Sequence, residues 1–397
     1  LDSALAGDDS NIAIGTNALG GTHTGTVSTQ NVAIGGDSMA GACNDADNNT
    51  CVGFLSGTSI TSGKGNVLIG KGAGDNIDEG AENVCIGVNA GGQIDGEGAN
   101  VFVGQDAGGG GIVNADKCVA IGTASLQGAA EGDGTIAIGW AAGNALTTSV
   151  ENTAVGFKAL YENTSGGYNT VIGYQAMAQS GAVPAAAHNT FIGKDSGGGD
   201  WVTAVSDQNV AIGNYTLDAA MAGALYNTAV GYNTLSGVID GISNVGIGLE
   251  AGLLIAAGNW NTCLGTKAGD RITTGNSNIC VGSGSDTSAS GSVDQIVLGS
   301  ELVGTADNAV HIGSDTRHIR CDYGSDQTWD AGSDERIKDV TGDSPLGLDF
   351  LNSFPIITYN WKAPSQFPKE FNDYDSDKTE PSDTLQHHGV TAQSVKA

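Results

Sequence analysis

The sequence predicts an all-β fold, a β-solenoid wound in turns of about 17 residues. Three observations predict it. A five-residue phrase recurs 18 times, closing on glycines from Gly15 to Gly313, with a mean step near 17.5 residues. A fixed period of this size marks a chain of stacked supersecondary units. Within the phrase side chains alternate, which is the period of a strand. Glycine makes up 64 of 397 residues and charged residues only 15%, a composition far from that of an ordinary domain.

The phrase reads Asn, then Val/Ile/Thr, a small residue, Ile/Val/Leu, and Gly. One place before each glycine stands Ile, Val or Leu, as in Ile14, Ile34, Val52, Ile69 and Leu264. Three places before stands Val, Ile or Thr, as in Val32, Val84, Thr153 and Thr228. These two share a face, and their β-branched character suits a packed strand, so that face is expected to line the solenoid core. The glycine lets the backbone turn at the strand end.

The residue between them must point the other way. It is Ala13, Ala33, Cys51, Cys85, Ala120, Ala137, Ala154, Ala211, Ala229, Cys263 and Cys280, with Leu68, Phe102, Val171 and Phe191 among the larger exceptions and His311 near the end. An apolar face repeated over 18 turns would be a large exposed patch. These residues are therefore expected to form the interface of a homo-oligomer coaxial about a long axis. The competing explanation is that a loop of the same chain covers them.

Asn opens the phrase in 14 of 18 copies, including Asn11, Asn66, Asn152, Asn209 and Asn278. Stacked turns would set these amides in a hydrogen-bonded ladder, a structural role. Three places after many of the glycines a small residue recurs, as at Ala18, Ala73, Ala90, Ala142 and Ala268, marking a second short strand or a corner. The remaining residues of each turn vary in length and read as surface loops. At about 4.8 Å per strand, seventeen steps predict a rod of roughly 80 Å.

Acids number 44 and bases 15, a net charge of −29. Such a chain repels nucleic acid and anionic membrane, and neither is an expected partner. No apolar run approaches the length of a membrane helix. The seven cysteines show no zinc-type spacing, and His387–His388 makes a poor chelate, so no metal and no cofactor is expected. Residue 1 is Leu, and the chain is read as a fragment or a processed piece. Aromatic residues directly follow several repeat glycines, at Phe54, Trp140, Phe157, Tyr174 and Tyr232. On stacked turns they form a ladder, which serves either packing or sugar stacking. Trp140, Tyr174, Trp201, Tyr232 and Trp260 are the candidate glycan-facing residues.

Residues 10–313 resemble the head repeats of trimeric autotransporter adhesins, whose motif also runs small–Val–Ala–Ile–Gly and then Ala; similar arrays occur in viral tail fibres. The resemblance implies a left-handed β-roll assembled as a parallel homotrimer. The period differs from that of hexapeptide helices, and the Gly-Gly-x-Gly-x-Asp phrase of calcium-binding rolls is missing.

Beyond Gly313 the texture changes. A connecting β segment is expected over 314–332, with a strand pair in His318–Trp329. A small α+β domain is expected over 333–397, with a helix at Leu346–Phe354 ended by Pro355 and strands at Ile356–Trp361 and Gly389–Gln393. Its residues Ser333, Asp334, Arg336 and Lys338, then Leu348, Asp349 and Leu351, then Pro355, Tyr359, Trp361 and Lys362, and lastly Gly389–Gln393 resemble the intramolecular chaperone domain at the C-termini of phage endosialidases, tailspikes and tail fibres. That resemblance implies self-cleavage of the Gly332–Ser333 bond, with Ser333 as nucleophile and Lys338 as its base, a single-event serine endopeptidase rather than a turnover enzyme.

Together these readings describe a virion surface appendage, a tail fibre or spike, acting outside the cell. Its expected partners are two further copies of the chain, other virion proteins, and a host cell-surface glycan or protein receptor. The alternatives are a polysaccharide-degrading tailspike and a bacterial trimeric adhesin. No carboxylate pair can be nominated from the sequence for glycoside hydrolysis.

Overall fold

A computed structural model of the chain describes residues 10–21, 27–94, 96, 98–110, 116–128, 133–180, 185–201, 204–323, 326–330, 357–359, 362–366, 376–377, 379–380 and 387–389. The chain divides into two compact units, Leu1–Gly332 and Ser333–Ala397.

The first unit is a parallel β-solenoid. Sixteen three-residue strands run from Ile12–Ile14 to Ile279–Val281, followed by Gln295–Ser300 and Ala309–Ser314. Each strand pairs in parallel with the next, in register, so that Ala137, Ala154 and Val171 stand one above another. A parallel ladder needs a long crossover between strands, and here the rest of each turn is that crossover. The ladder is roughly 80 Å long at ~4.8 Å per strand.

Each turn holds one strand. The small residue after the glycine sits at a corner, and the rest of the turn is built from left-handed residues rather than a second strand. In the turn around Gly156 they are Glu151 (φ 54°), Lys158 (φ 54°) and Leu160 (φ 54°), and the same three positions recur along the chain. A non-glycine residue there costs about 1–3 kcal/mol and persists only where its surroundings fix it. The stacked turns do so: the amides of Glu151, Lys158 and Leu160 donate to the carbonyls of Asp133, Trp140 and Ala176, at 3.0, 2.9 and 3.0 Å. The repeat glycine is more constrained still. Gly156 has φ 137°, and a Cβ on it would fall 2.7 Å from the carbonyl carbon of Gly173 in the next turn.

The core reverses the expected inside and outside. The middle residue of each strand points into the turn. Ala33, Cys51, Cys85, Ala120, Ala137, Ala154, Ala211, Ala229, Cys263 and Cys280 are all fully buried within one chain, and Ala13 packs against the same core. They are not placed between chains, and the assignment of this column to an oligomer interface is corrected. The competing explanation was the right one: the rest of the same turn covers them. The reason is volume, because the interior of the turn is narrow.

Six residues after each middle residue stands its partner across the core. In most turns where the middle residue is Ala the partner is large, as in Ala33 with Met39, Ala120 with Leu126, Ala154 with Leu160 and Ala211 with Leu217; opposite Ala137 stands Gly143, and Leu146 packs into the gap. Where the middle residue is larger the partner is usually glycine, as in Leu68 with Gly74, Phe102 with Gly108 and Phe191 with Gly197, with Val171 and Met177 an exception. At Gly57, Gly74, Gly91, Gly252 and Gly269 an Ile three residues later (Ile60, Ile77, Ile94, Ile255, Ile272) fills the space instead. Bulk at one position is mostly traded against bulk at the other, as close packing favours.

The opening Asn residues form the expected ladder. The Oδ1 of Asn49 accepts the Asn66 amide at 3.0 Å, and the Nδ2 of Asn66 donates to the Gly80 carbonyl at 2.8 Å. The pattern runs through Asn100, whose Oδ1 accepts the Cys118 amide at 2.8 Å. It resumes from Asn152 and ends at Gln295, whose amide donates to Asn278 at 3.0 Å. These side chains satisfy backbone groups that the turn buries.

Ala309–Ser314 then pairs antiparallel with Arg317–Asp322, which pairs antiparallel with Asp326–Asp330. The reversal ends the parallel stack. His311 occupies the middle position here and is buried, with Nε2 accepting the Thr305 amide at 3.3 Å. Burial, with the charges of His318 and Arg320, pushes its pKa down to about 4, so it is neutral at pH 7.

In the second unit Ile357–Tyr359 pairs antiparallel with His387–Gly389, and Pro364–Gln366 forms a 3-10 turn. The helix expected at Leu346–Phe354 lies outside the described residues.

Candidate functional site

With the small column inside, the β-branched columns face out. The Ile one place before the glycine is between about a third and three fifths exposed at Ile14, Ile69, Ile86, Ile121, Ile138, Ile172, Ile212 and Ile247. The Val/Ile/Thr column three places before is half-buried beside it in nearly every turn. Neither column carries a charge. The two lie on one face of a continuous parallel sheet, whose strand spacing makes the strip roughly 80 Å long and on the order of 800 Å² in area. Parallel sheets are ordinarily covered on both faces. This one is covered on its inner face by its own turns and bare on the outer.

The aromatic residues after the glycines border this strip. Trp140, Phe157 and Tyr174 stack face to face, with ring centroids 4.9 and 5.1 Å apart and planes within 14° and 8°. Lys158 lies 5.6 Å from the Trp140 ring and 4.4 Å from that of Tyr161. Sugar stacking needs a free ring face. In this stack both faces of Phe157 and one face of each neighbour are occupied by rings, so the ladder packs against itself. Tyr232 meets Tyr215 edge to face at 5.6 Å, and Trp260 is 62% exposed. Trp201 is not surface-facing: it is fully buried, its indole N–H donating to the Gly197 carbonyl at 3.1 Å and its ring packed edge to face on Phe191.

None of the seven cysteines is in a disulfide. Burial pushes the thiols of Cys85 and Cys263 up to about 12, and those of Cys51 and Cys280 higher. They remain thiols at neutral pH and act as small apolar core residues, not nucleophiles. Among the described residues no group of three or more His, Cys, Asp or Glu is placed to hold a metal ion. No helix among them is long and apolar enough to cross a membrane. Gly332, Ser333 and Lys338 lie outside the described residues.

The fold defines a parallel β-solenoid protein. Its C-terminal segment, residues 333–397, matches the family model described as the chaperone of endosialidase. No curated protein matches the chain. A long solenoid followed by such a segment fits a tail-fibre-like or endosialidase-like protein.

Proposed function

We propose that the chain is the protomer of a homotrimeric fibre, a virion tail fibre or spike that attaches to a host surface, whose register is set by its C-terminal chaperone segment. The observation that carries this reading is the bare outer face of the sheet. An uncharged strip on the order of 800 Å² is what one partner contributes to a stable interface, and it exceeds the apolar patches monomers usually expose. Three copies around an axis along the stacking direction would cover it. The number three is supported by the resemblance of the repeats to trimeric adhesin heads and by the match to an endosialidase chaperone.

Eighteen nearly identical turns also create a registry problem, since two chains can pair one turn out of step with little loss of contact. A separate assembly segment at one end resolves it. The test is mass in solution. Light scattering on the uncut Ser333→Ala chain should give three times the 39.6 kDa protomer. A single-chain mass would end the fibre reading.

Self-cleavage belongs to the same proposal. The Ser333 Oγ would attack the Gly332 carbonyl carbon while Lys338 takes its proton and passes it to the departing Ser333 nitrogen, so that the C–N bond breaks as an ester forms, and water then hydrolyses that ester. Such a lysine must have its pKa lowered by burial or a neighbouring charge. Expressed with its native flanking sequence, the chain should run on a denaturing gel as two pieces, with the break placed before Ser333 by mass spectrometry. Ser333→Ala and Lys338→Ala should each leave one band and still assemble. Undiminished cleavage in Ser333→Ala would remove that residue from the mechanism.

A further inference from the structure

Off the strand face, beyond the glycine corners, a cleft of about 350 Å³ opens across three successive turns. Its size lies at the lower end of small-ligand sites. One wall is the residue two places after the repeat glycine in each turn: Gln175, Asp195 and Tyr215. The other wall carries Gln179 and Asp218. Between them the middle turn offers Gly198 and Gly199, so the wall is stripped of side chains where the flanking turns have them.

Several of these groups have hydrogen-bonding capacity to spare. Among the described residues the side-chain amides of Gln175 and Gln179 make no hydrogen bond, and the half-buried Asp218 carboxyl is met by no other side chain. The middle and third turns are tied together. Lys194 pairs with Asp195 at 3.2 Å, bonds the Tyr215 hydroxyl, and lies 4.6 Å from the Tyr215 ring centre. That lysine fixes both residues and neutralises one of the two carboxylates. The cleft therefore carries about one net negative charge in a chain of charge −29. Burial, with the nearby Asp195, pushes Asp218 up to about 6, which leaves it mostly ionised at pH 7.

Two amides, two carboxylates and a phenol around an open floor are donors and acceptors matched to vicinal hydroxyls. The negative balance disfavours sialic acids, uronic acids and sulfated sugars. Three turns span roughly 10 Å at ~4.8 Å per rung, about the length of a disaccharide. We propose that this cleft binds a neutral, hydroxyl-rich oligosaccharide. The inference rests on the attachment reading and names its ligand class; it is tested separately from assembly, because the mass measurement reports the fibre whatever the cleft binds.

The experiment is an array of neutral oligosaccharides (gluco-, galacto-, manno- and N-acetylglucosamine series) with sialylated and uronate counterparts, probed with the full native chain. The strongest neutral hit is then titrated calorimetrically against the native chain, Gln179→Ala and Asp218→Asn. The expected result is binding of at least one neutral oligosaccharide, weakened tenfold or more by each substitution, with circular dichroism and mass unchanged. Gln179 is exposed, so its truncation leaves folding intact and decides the matter should Asp218→Asn fold poorly. No binding to any neutral oligosaccharide, preference for the acidic counterparts, or native affinity in Gln179→Ala would each overturn the proposal.

Discussion

Ala154→Glu should unfold the turns around it rather than merely separate subunits. Ala154 is fully buried, with Ala137 and Val171 in register above and below and Leu160 six residues on in the same turn. The packed interior has no room for four more heavy atoms, and Lys158, the cation of the same turn, lies against the Trp140 and Tyr161 rings. An unpaired buried charge with overpacking costs about 4 kcal/mol or more. In a solenoid each turn contacts only its neighbours, so the damage is local at first. Limited proteolysis should therefore show new cuts between residues 137 and 177, with a lowered melting temperature. A variant that melts like the parent and resists protease would return this column to the surface.

Gly156→Val should be nearly as damaging, for a reason in the backbone. At φ 137° an L side chain is strained wherever space exists, and here the next turn's backbone fills the space. Strain and collision together cost about 3 kcal/mol or more. The contrast is Gly134, with φ 69° and nothing nearer to a Cβ than a Glu151 side-chain carbon at 3.6 Å. Asn visits that left-handed region readily, so Gly134→Asn should change stability by less than about 0.5 kcal/mol. Thermal melts of the two variants side by side check the distinction. Equal melting temperatures would mean that the repeat glycine is not held by its neighbour.

The architecture was legible in the sequence because its signals are periodic. The glycine spacing foretold the stacked turns and their strand, the second short strand left open after the glycine proved to be a corner, and the Asn column foretold the amide ladder. The direction of the strand faces was misread, for a physical reason. A strand flanked by two β-branched residues ordinarily buries them, and only the volume of the turn decides otherwise. The deciding pattern was present but spans six residues: Ala33 with Met39, Leu68 with Gly74, Phe102 with Gly108. Such compensation makes sense only if the two positions share one cavity. Trp201 was misplaced because a tryptophan in a variable loop reads as a surface residue, whereas its ring packs edge to face on Phe191 in the core. The left-handed corners carry no residue signature, because Glu151, Lys158 and Leu160 are held there by bonds from adjacent turns and not by their own preference. The cleft was invisible because Gln175, Asp195 and Asp218 meet only when turns of 20 residues are stacked.

The central claim is that the small column holds each chain together while the Val/Ile columns hold the chains to one another. Light scattering with circular dichroism on the double variant Ile138→Lys/Ile172→Lys, made in the uncut Ser333→Ala chain, tests it most directly. Both residues are more than a third exposed on the outer face, so a single chain should tolerate lysine, whereas an interface would have to desolvate it. The account predicts a native-like β spectrum and a mass of one 39.6 kDa chain, against three for the parent. A double variant that keeps the parent's trimeric mass, or one that loses its β spectrum along with it, would contradict the assignment.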